Sequence, residues 1–396
     1  MRTLQRMASP LLLFAAAQLM MGVYSGFYDP SFNNYLSQVH HLSPLARGSL
    51  EFSRELPGFL MVFIFALLAF LPDTRIAMVA AFLVGVSLWG QGHWTPNMGW
   101  VVLWMLAWSI GAHLFLVLKS SIALRLADHN QAGFLLGRLG AIEAVGILLG
   151  GLVLYLGAAY CHFSFGVIFG LAGGCALMAS LIFFAIKPQP IKPGSRRLLF
   201  KKRYSLFYIL NILYGARKQI FLTFAPWVLI KLFNCTVGTF ALLGMVGTAL
   251  GLVFRPLLGR AVDNWGERTI IALESLSLIV ICLVYGAAPL WLPATAGLVL
   301  VMICFVIDQL LLAVTISRAT YLNRIAERPE DVAPSLSMGI TLDHLISMTV
   351  PIGGGILWTR FGFQWVFWGA ALIALFNLQA ALRIPKGTGK VERAAA

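Results

Sequence analysis

Charge is scarce in this 396-residue chain, where Asp, Glu, Lys and Arg together make up only 11% of the residues. Soluble domains carry about 25%, so a water-soluble globule is excluded. Acids are the scarcer sign, 15 against 29 Lys and Arg. Cysteine is nearly missing as a structural tool. Cys161, Cys175, Cys235, Cys282 and Cys304 are odd in number, scattered, and form no C-x-x-C pair. Neither a disulfide framework nor a structural zinc site follows from that spacing. No G-x4-G-K-[ST] loop occurs, which disfavours ATP-driven pumping. No H-x3-H pair lies inside an apolar run and no nucleophile sits beside a base, so neither an enzyme nor a metal centre is expected. No cofactor is expected either.

What the chain has in excess is apolar sequence: 59% of residues are hydrophobic and the mean hydropathy is +0.85. Runs of roughly 20 apolar residues, enough to cross a hydrocarbon core of about 30 Å, recur along the whole length. They lie near 9–36, 45–70, 74–91, 98–122, 133–158, 164–186, 204–231, 236–257, 268–287, 291–317, 332–357 and 364–383. A membrane β-barrel needs alternating segments of about 10 residues, and none dominate. The expected class is an all-α polytopic membrane protein with twelve transmembrane helices. The N-terminus starts basic and turns apolar as a signal peptide does. Its apolar run is long and another follows at once, so an uncleaved first helix is expected.

The formal charge of +14 does not point to nucleic acid, because of where the charge sits. Lys187, Lys192, Arg196, Arg197, Lys201, Lys202 and Arg203 form an acid-free block in "KPQPIKPGSRRLLFKKR" (187–203). Beside a transmembrane helix such a block reports orientation and contact with anionic lipid. It divides the chain into a six-helix bundle (1–187), a basic cytoplasmic linker (188–203) and a second six-helix bundle (204–396). Arg2, Arg6, Arg75, Arg125, Arg260, Arg268, Arg318, Arg324, Arg328, Lys386 and Lys390 fall on the linker's side. Only Arg47, Lys231 and Arg360 lie near helix ends on the other. The positive-inside rule therefore puts both termini in the cytoplasm.

The connection after the eighth run reads "GRAVDNWGERT" (Gly259 to Thr269), a G-x3-D-x2-G-x-R pattern. Its counterpart after the second run is "LPDTR" (Leu71 to Arg75), shorter and without the glycines. The six-plus-six layout, the basic central loop and this pattern together resemble the major facilitator superfamily of secondary transporters. The resemblance covers essentially the whole chain. It implies two halves related by a pseudo-two-fold axis along the membrane normal, with substrate bound near the midplane between them. It also implies a cytoplasmic gate loop built on Gly259, Asp263, Gly266 and Arg268, with Asp263 near helix N-termini and Arg260 or Arg268 pairing across the halves in one state. The other reading of that loop is an ordinary tight turn at Gly266.

An ionisable group at the bilayer centre costs at least a few kcal/mol, so it normally faces protein or a water-filled cavity. Such groups are Asp29 in the first run, Glu51, Arg54 and Glu55 in the second, and His113 and Lys119 in the fourth. Arg138 and Glu143 follow in the fifth, Arg217 and Lys218 in the seventh, Asp308 in the tenth, and Asp343 and His344 in the eleventh. The third, sixth and twelfth runs have none, and the ninth has only Glu274 near its end. By the resemblance those sparse runs are the lipid-facing ones.

On "GSLEFSRELPGFL" (Gly48 to Leu60), Glu51 shares a helix face with Arg54 and Glu55. Two readings stay open: a self-neutralising ion pair, or one unpaired carboxylate carrying a proton. Pro57 and Gly58 bend the helix in either case. In "YGARKQIFLTFAPW" (Tyr214 to Trp227), Arg217 and Lys218 point about 100° apart and do not share a partner. One is expected to face the cavity and the other an acid. Arg217 with Gly215 and Gln219 nearby suits an anionic substrate; the alternative is a salt bridge to Asp308, Asp29 or Asp343. Asp29 precedes Pro30, Asn33 and Asn34, which suggests a polar, partly unwound wall. A lone buried His is more often hydrogen-bonded structure than a ligand, which applies to His113.

The expected site is therefore Arg217, Lys218, Asp29, Asn33, His113 and Asp308 for substrate, with Glu51, Arg54, Glu55, Glu143 and Asp343 as a coupling or gating network. The expected function is secondary active transport by alternating access, proton-coupled on family grounds, moving a small anionic organic solute. The expected setting is a monomer in the bacterial cytoplasmic (inner) membrane, with substrate, proton and lipid as partners and no nucleic acid. The alternatives are proton-driven efflux of lipophilic compounds and a non-transporting receptor or assembly factor on the same fold.

Overall fold

A chain this apolar must satisfy its backbone hydrogen bonds internally, and helices do so segment by segment. The computed structural model describes residues 9–68, 70–126, 132–188 and 200–385, and these are overwhelmingly helical. Arg2, Arg6, Lys192, Arg196, Arg197, Lys386 and Lys390, used above for orientation, lie outside the described residues. Nine helices among the described residues are long and apolar enough to cross a membrane. Large apolar side chains such as Phe63, Leu67, Phe70, Leu181 and Val280 are exposed, as lipid contact allows. The protein is an integral, multi-pass membrane protein.

In chain order the helices are α1 (Pro10–Gln38), α2 (Pro44–Phe59), α3 (Met61–Leu67), α4 (Asp73–His93), α5 (Met98–Leu126), α6 (Ala132–Tyr160) and α7 (Phe165–Ala185). Then come α8 (Ser205–Phe233), α9 (Val237–Trp291), α10 (Ala294–Leu311), α11 (Thr315–Ile325), α12 (Pro329–Phe361) and α13 (Phe363–Leu382). Local chemistry sets several ends. Ser9 Oγ accepts from the Leu12 N–H at 3.2 Å, with Pro10 opening α1. Asn234 closes α8 in the left-handed region, which Asn tolerates better than most residues.

Three breaks matter for the site. Pro57 lies inside α2, and the helix is interrupted at Leu60 before α3 resumes. Proline removes a backbone donor and crowds the carbonyl four residues earlier, which accounts for a bend there. A 3-10 turn, Leu312–Val314, separates α10 from α11. Helix α9 runs 55 residues with one non-helical position, Gly266, at φ 78°. A side chain there would be strained, so glycine permits the break. The eighth and ninth apolar runs thus meet at a single residue rather than across an open loop. Gly259 and Asp263 keep helical geometry, and Gly266 is the one position in α9 whose backbone leaves it.

The chain divides into two compact units. The first comprises Met1–His41, Leu56–Gly194 and Thr236–Ala249; the second comprises Leu42–Glu55, Ser195–Cys235 and Leu250–Ala396. In the first, α1 packs against α6 and α7, and α4 against α5 and α7. Gly22 of α1 meets Gly146 of α6, and Gly26 meets Gly150; small residues let membrane helices approach closely. In the second, α8 packs against α12 and α13. An aromatic and aliphatic cluster including Tyr204, Phe207, Leu258, Ile271, Tyr321 and Leu322 forms part of its core.

Candidate functional site

Arg47, Glu51, Arg54 and Glu55 recur at three- and four-residue spacing, so they line one face of α2. Glu51 is fully buried and ion-paired to Arg47, while Arg54 Nε reaches it at 2.6 Å. Gln219 Nε2 of α8 also donates to Glu51. Arg54 Nη2 lies 2.9 Å from Glu55, whose other oxygen lies 2.8 Å from His344 Nδ1 of α12. Both carboxylates of the Gly48–Leu60 stretch are thus paired, in a chain running from Arg47 to His344.

Helix α8 sends its two adjacent cations to different acids. Arg217 is ion-paired to Asp308 of α10, and its Nη2 lies 3.7 Å from Glu274 of α9. Glu274 in turn takes Arg318 Nη2 of α11 at 2.8 Å. Lys218 Nζ lies 2.8 and 2.7 Å from the two oxygens of Asp343, which also accepts from Ser347 Oγ at 3.1 Å. A Cβ at position 215 would collide with Asp343, so Gly215 is what lets α12 close on this pair. The sequence left one of the two cations facing a cavity; in the structure both hold an acid. Arg47, Arg54, Arg217, Lys218 and Arg318 are therefore matched by Glu51, Glu55, Glu274, Asp308 and Asp343. An unmatched charge here would cost several kcal/mol.

The remaining expected residues are placed as follows. In the first unit, Asp29 is exposed and accepts from Ser25 Oγ, and Asn33 is half-buried. His113 Nδ1 sits 3.0 Å from Ser109 Oγ and 2.9 Å from the Ser109 carbonyl. Glu143 takes Lys119 Nζ at 2.9 Å through both oxygens. Arg138 is exposed. Asp263 is exposed, and Arg268 donates to the Ile384 carbonyl at 3.4 Å. The neighbouring Glu267 pairs with Arg324 at 3.3 Å. Four residues before α8, Lys201 lies 2.6 Å from Asp331 and 3.3 Å from Glu327, and its hydrogen bond to Asp331 raises the lysine pKa.

Sequence reasoning missed the parts Arg47 and Arg318 play. Both were read as orientation markers, yet both are almost fully buried in ion pairs. Arg47 was recoverable, since it precedes Glu51 by four residues. Arg318 pairs across 44 positions, and no local pattern announces that.

The comparisons agree on one fold. The structure of the nucleoside transporter NupG aligns at 13% identity with a TM-score of 0.76, covering 96% of this chain and 100% of that one. A point mutant of NupG aligns at 13% identity with a TM-score of 0.79 and the same coverage. A D-xylose-proton symporter aligns at 17% identity with a TM-score of 0.71, covering 96% of this chain and 98% of that one. No curated protein sequence matches. A sequence profile of the Major Facilitator Superfamily matches residues 11–328, most of the chain. The chain therefore belongs to the Major Facilitator Superfamily, and is a transporter rather than an enzyme.

Proposed function

We propose that this transporter is a proton-coupled symporter for a small organic anion, working by alternating access in a bacterial cytoplasmic membrane. In this reading the bilayer is crossed twelve times. Nine spans satisfy length and hydropathy; Gly266 divides α9 into two, and α2 with α3, and α8, supply the others. The halves are 1–187 and 204–396, joined by the basic linker 188–203, with both termini cytoplasmic and the monomer as the working unit.

The observation carrying the proposal is the charge balance of the ion-paired network inside the second unit, five cations against five acids. A proton added at Glu55 and His344 leaves one positive charge unmatched in a medium of low dielectric constant. A bound monoanion restores neutrality, so proton and anion stabilise each other and travel together. Arg217 Nη2 is buried without a hydrogen bond among the described residues, a donor suited to a carboxylate. Arg217, Lys218 and Asp308 are then the substrate residues of the second unit, and Asp29, Asn33 and His113 those of the first. Glu51, Arg54, Glu55 and Asp343, and separately Glu143, serve coupling, and Gly259, Asp263, Gly266 and Arg268 serve gating.

The neighbours' names favour a second reading, an uncharged polar solute of nucleoside or sugar type. Reconstituted vesicles separate the two. A proton carried with a monoanion moves no net charge, so uptake responds to an inward pH gradient and not to an inside-negative potential. With a neutral solute the same potential accelerates uptake. If no organic acid, nucleoside or sugar is accumulated under either gradient, both readings fall.

A further inference from the structure

The Tyr214 ring on α8 is buried and has three cations around it. Arg217 and Lys218 follow it by three and four residues, so all three occupy one helix face. The Arg217 guanidinium carbon is 5.8 Å and Lys218 Nζ 5.5 Å from the ring centroid. Arg318 reaches the same ring from α11 at 4.5 Å. All three cations thus lie within the roughly 6 Å over which a ring face attracts a cation. The phenol adds little: its hydroxyl lies 3.5 Å from the Leu312 carbonyl, at the limit of a hydrogen bond.

We infer that Tyr214 is a positioning residue, whose ring offsets the mutual repulsion of these three cations and so keeps each seated between the ring and its own acid. Like charges this close repel. Outside the ring, Asp308, Asp343 and Glu274 draw them in three directions. Inside it, the electron-rich ring gives all three a common attraction. Lys218 depends on this most, because its ammonium is a point charge on a flexible four-carbon stem. Without the ring's attraction the stem gains freedom and the Lys218 pair with Asp343 opens. The alternative is that Tyr214 merely fills space, and then only its shape matters.

Ring fluorination separates the two, since it weakens the negative ring face with little change of shape. The purified full-length protein carries Tyr214→Phe, then stepwise ring-fluorinated phenylalanines at the same position. Two quantities are read: the rate at which an amine-reactive reagent labels Lys218, followed by mass spectrometry, and KM against maximal flux in vesicles. Only the second rests on the transport reading. Tyr214→Phe is expected to match the wild type within about twofold, because the ring remains. Labelling and KM then rise with each fluorine, to about tenfold in total, while maximal flux changes less. A labelling rate that stays flat along the series overturns the inference. So does a Tyr214→Phe variant already as reactive as the most fluorinated one. If labelling climbs but the wild type moves no solute, Tyr214 keeps its role and the transport reading falls.

Discussion

Arg318 of α11 donates to the Glu274 carboxylate of α9 at 2.8 Å, and both side chains are almost wholly buried. Neither residue belonged to the substrate set read from the sequence, yet Glu274 also stands 3.7 Å from Arg217. Through Glu274 the pair ties Arg217 of α8 to the far side of the 3-10 turn between α10 and α11.

Removing one member should therefore be expensive. Arg318→Met leaves Glu274 with only the distant Arg217, and Glu274→Gln strands Arg318. Each is expected to destabilise the fold by about 3–5 kcal/mol. The double variant Glu274→Gln with Arg318→Met should recover part of that loss, since no lone charge remains. Thermal unfolding in detergent decides it, and a double variant no better than either single one would count against a coupled pair.

Arg217→Gln is expected to lower solute accumulation at least about a hundredfold, since it removes a charged contact in a buried site. It also strands Asp308, so folding has to be separated from function. Arg217→Gln with Asp308→Asn restores charge balance, and membrane insertion should recover while uptake does not. Normal uptake by either variant in vesicles would remove Arg217 from the site.

The two acids of α2 should behave differently. Glu51 has two arginine partners and a glutamine, so Glu51→Gln is expected to cost about 3 kcal/mol or more in stability. Glu55 faces His344, and Glu55→Gln should abolish accumulation driven by a pH gradient while solute exchange at equal pH persists. Accumulation that survives in Glu55→Gln would show that the proton enters elsewhere.

His40 lies beyond the end of α1, where burial first and the nearby His41 second hold its pKa below the usual imidazole value. The folded state therefore favours neutral His40, and the unfolded state binds the proton more readily. Stability is full above the unfolded value of about 6.5 and declines as pH falls through it. The melting temperature should drop between about pH 7.5 and about pH 5.5, and His40→Gln should flatten that slope. An unchanged slope would mean other groups set it.

Much of the architecture was legible in the sequence because hydropathy is additive along a chain. Runs of apolar residues announce membrane helices wherever they occur, and Pro57 announced the bend before α3. The run 204–231 was legible too and forms α8, although Arg217, Lys218 and Lys231 lower its hydropathy enough that it is not among the nine helices long and apolar enough to cross a membrane. The G-x3-D-x2-G-x-R motif (Gly259 to Arg268) was legible as a pattern but not as a shape. Its glycine at position 266 carries the break alone, while Gly259 stays helical.

The sequence by itself determined that this is a polytopic helical membrane protein of a known transporter family, and which residues place charge inside it. Local spacing was enough for that, including the α2 face carrying Glu51, Arg54 and Glu55. Tertiary structure alone decided the partners. That Arg217 meets Asp308, Lys218 meets Asp343, Glu55 meets His344 and Arg318 meets Glu274 depends on contacts across 91, 125, 289 and 44 positions. Coulomb attraction acts through space and not along the chain, so a list of buried charges does not contain its own pairing. Helix packing supplies that pairing.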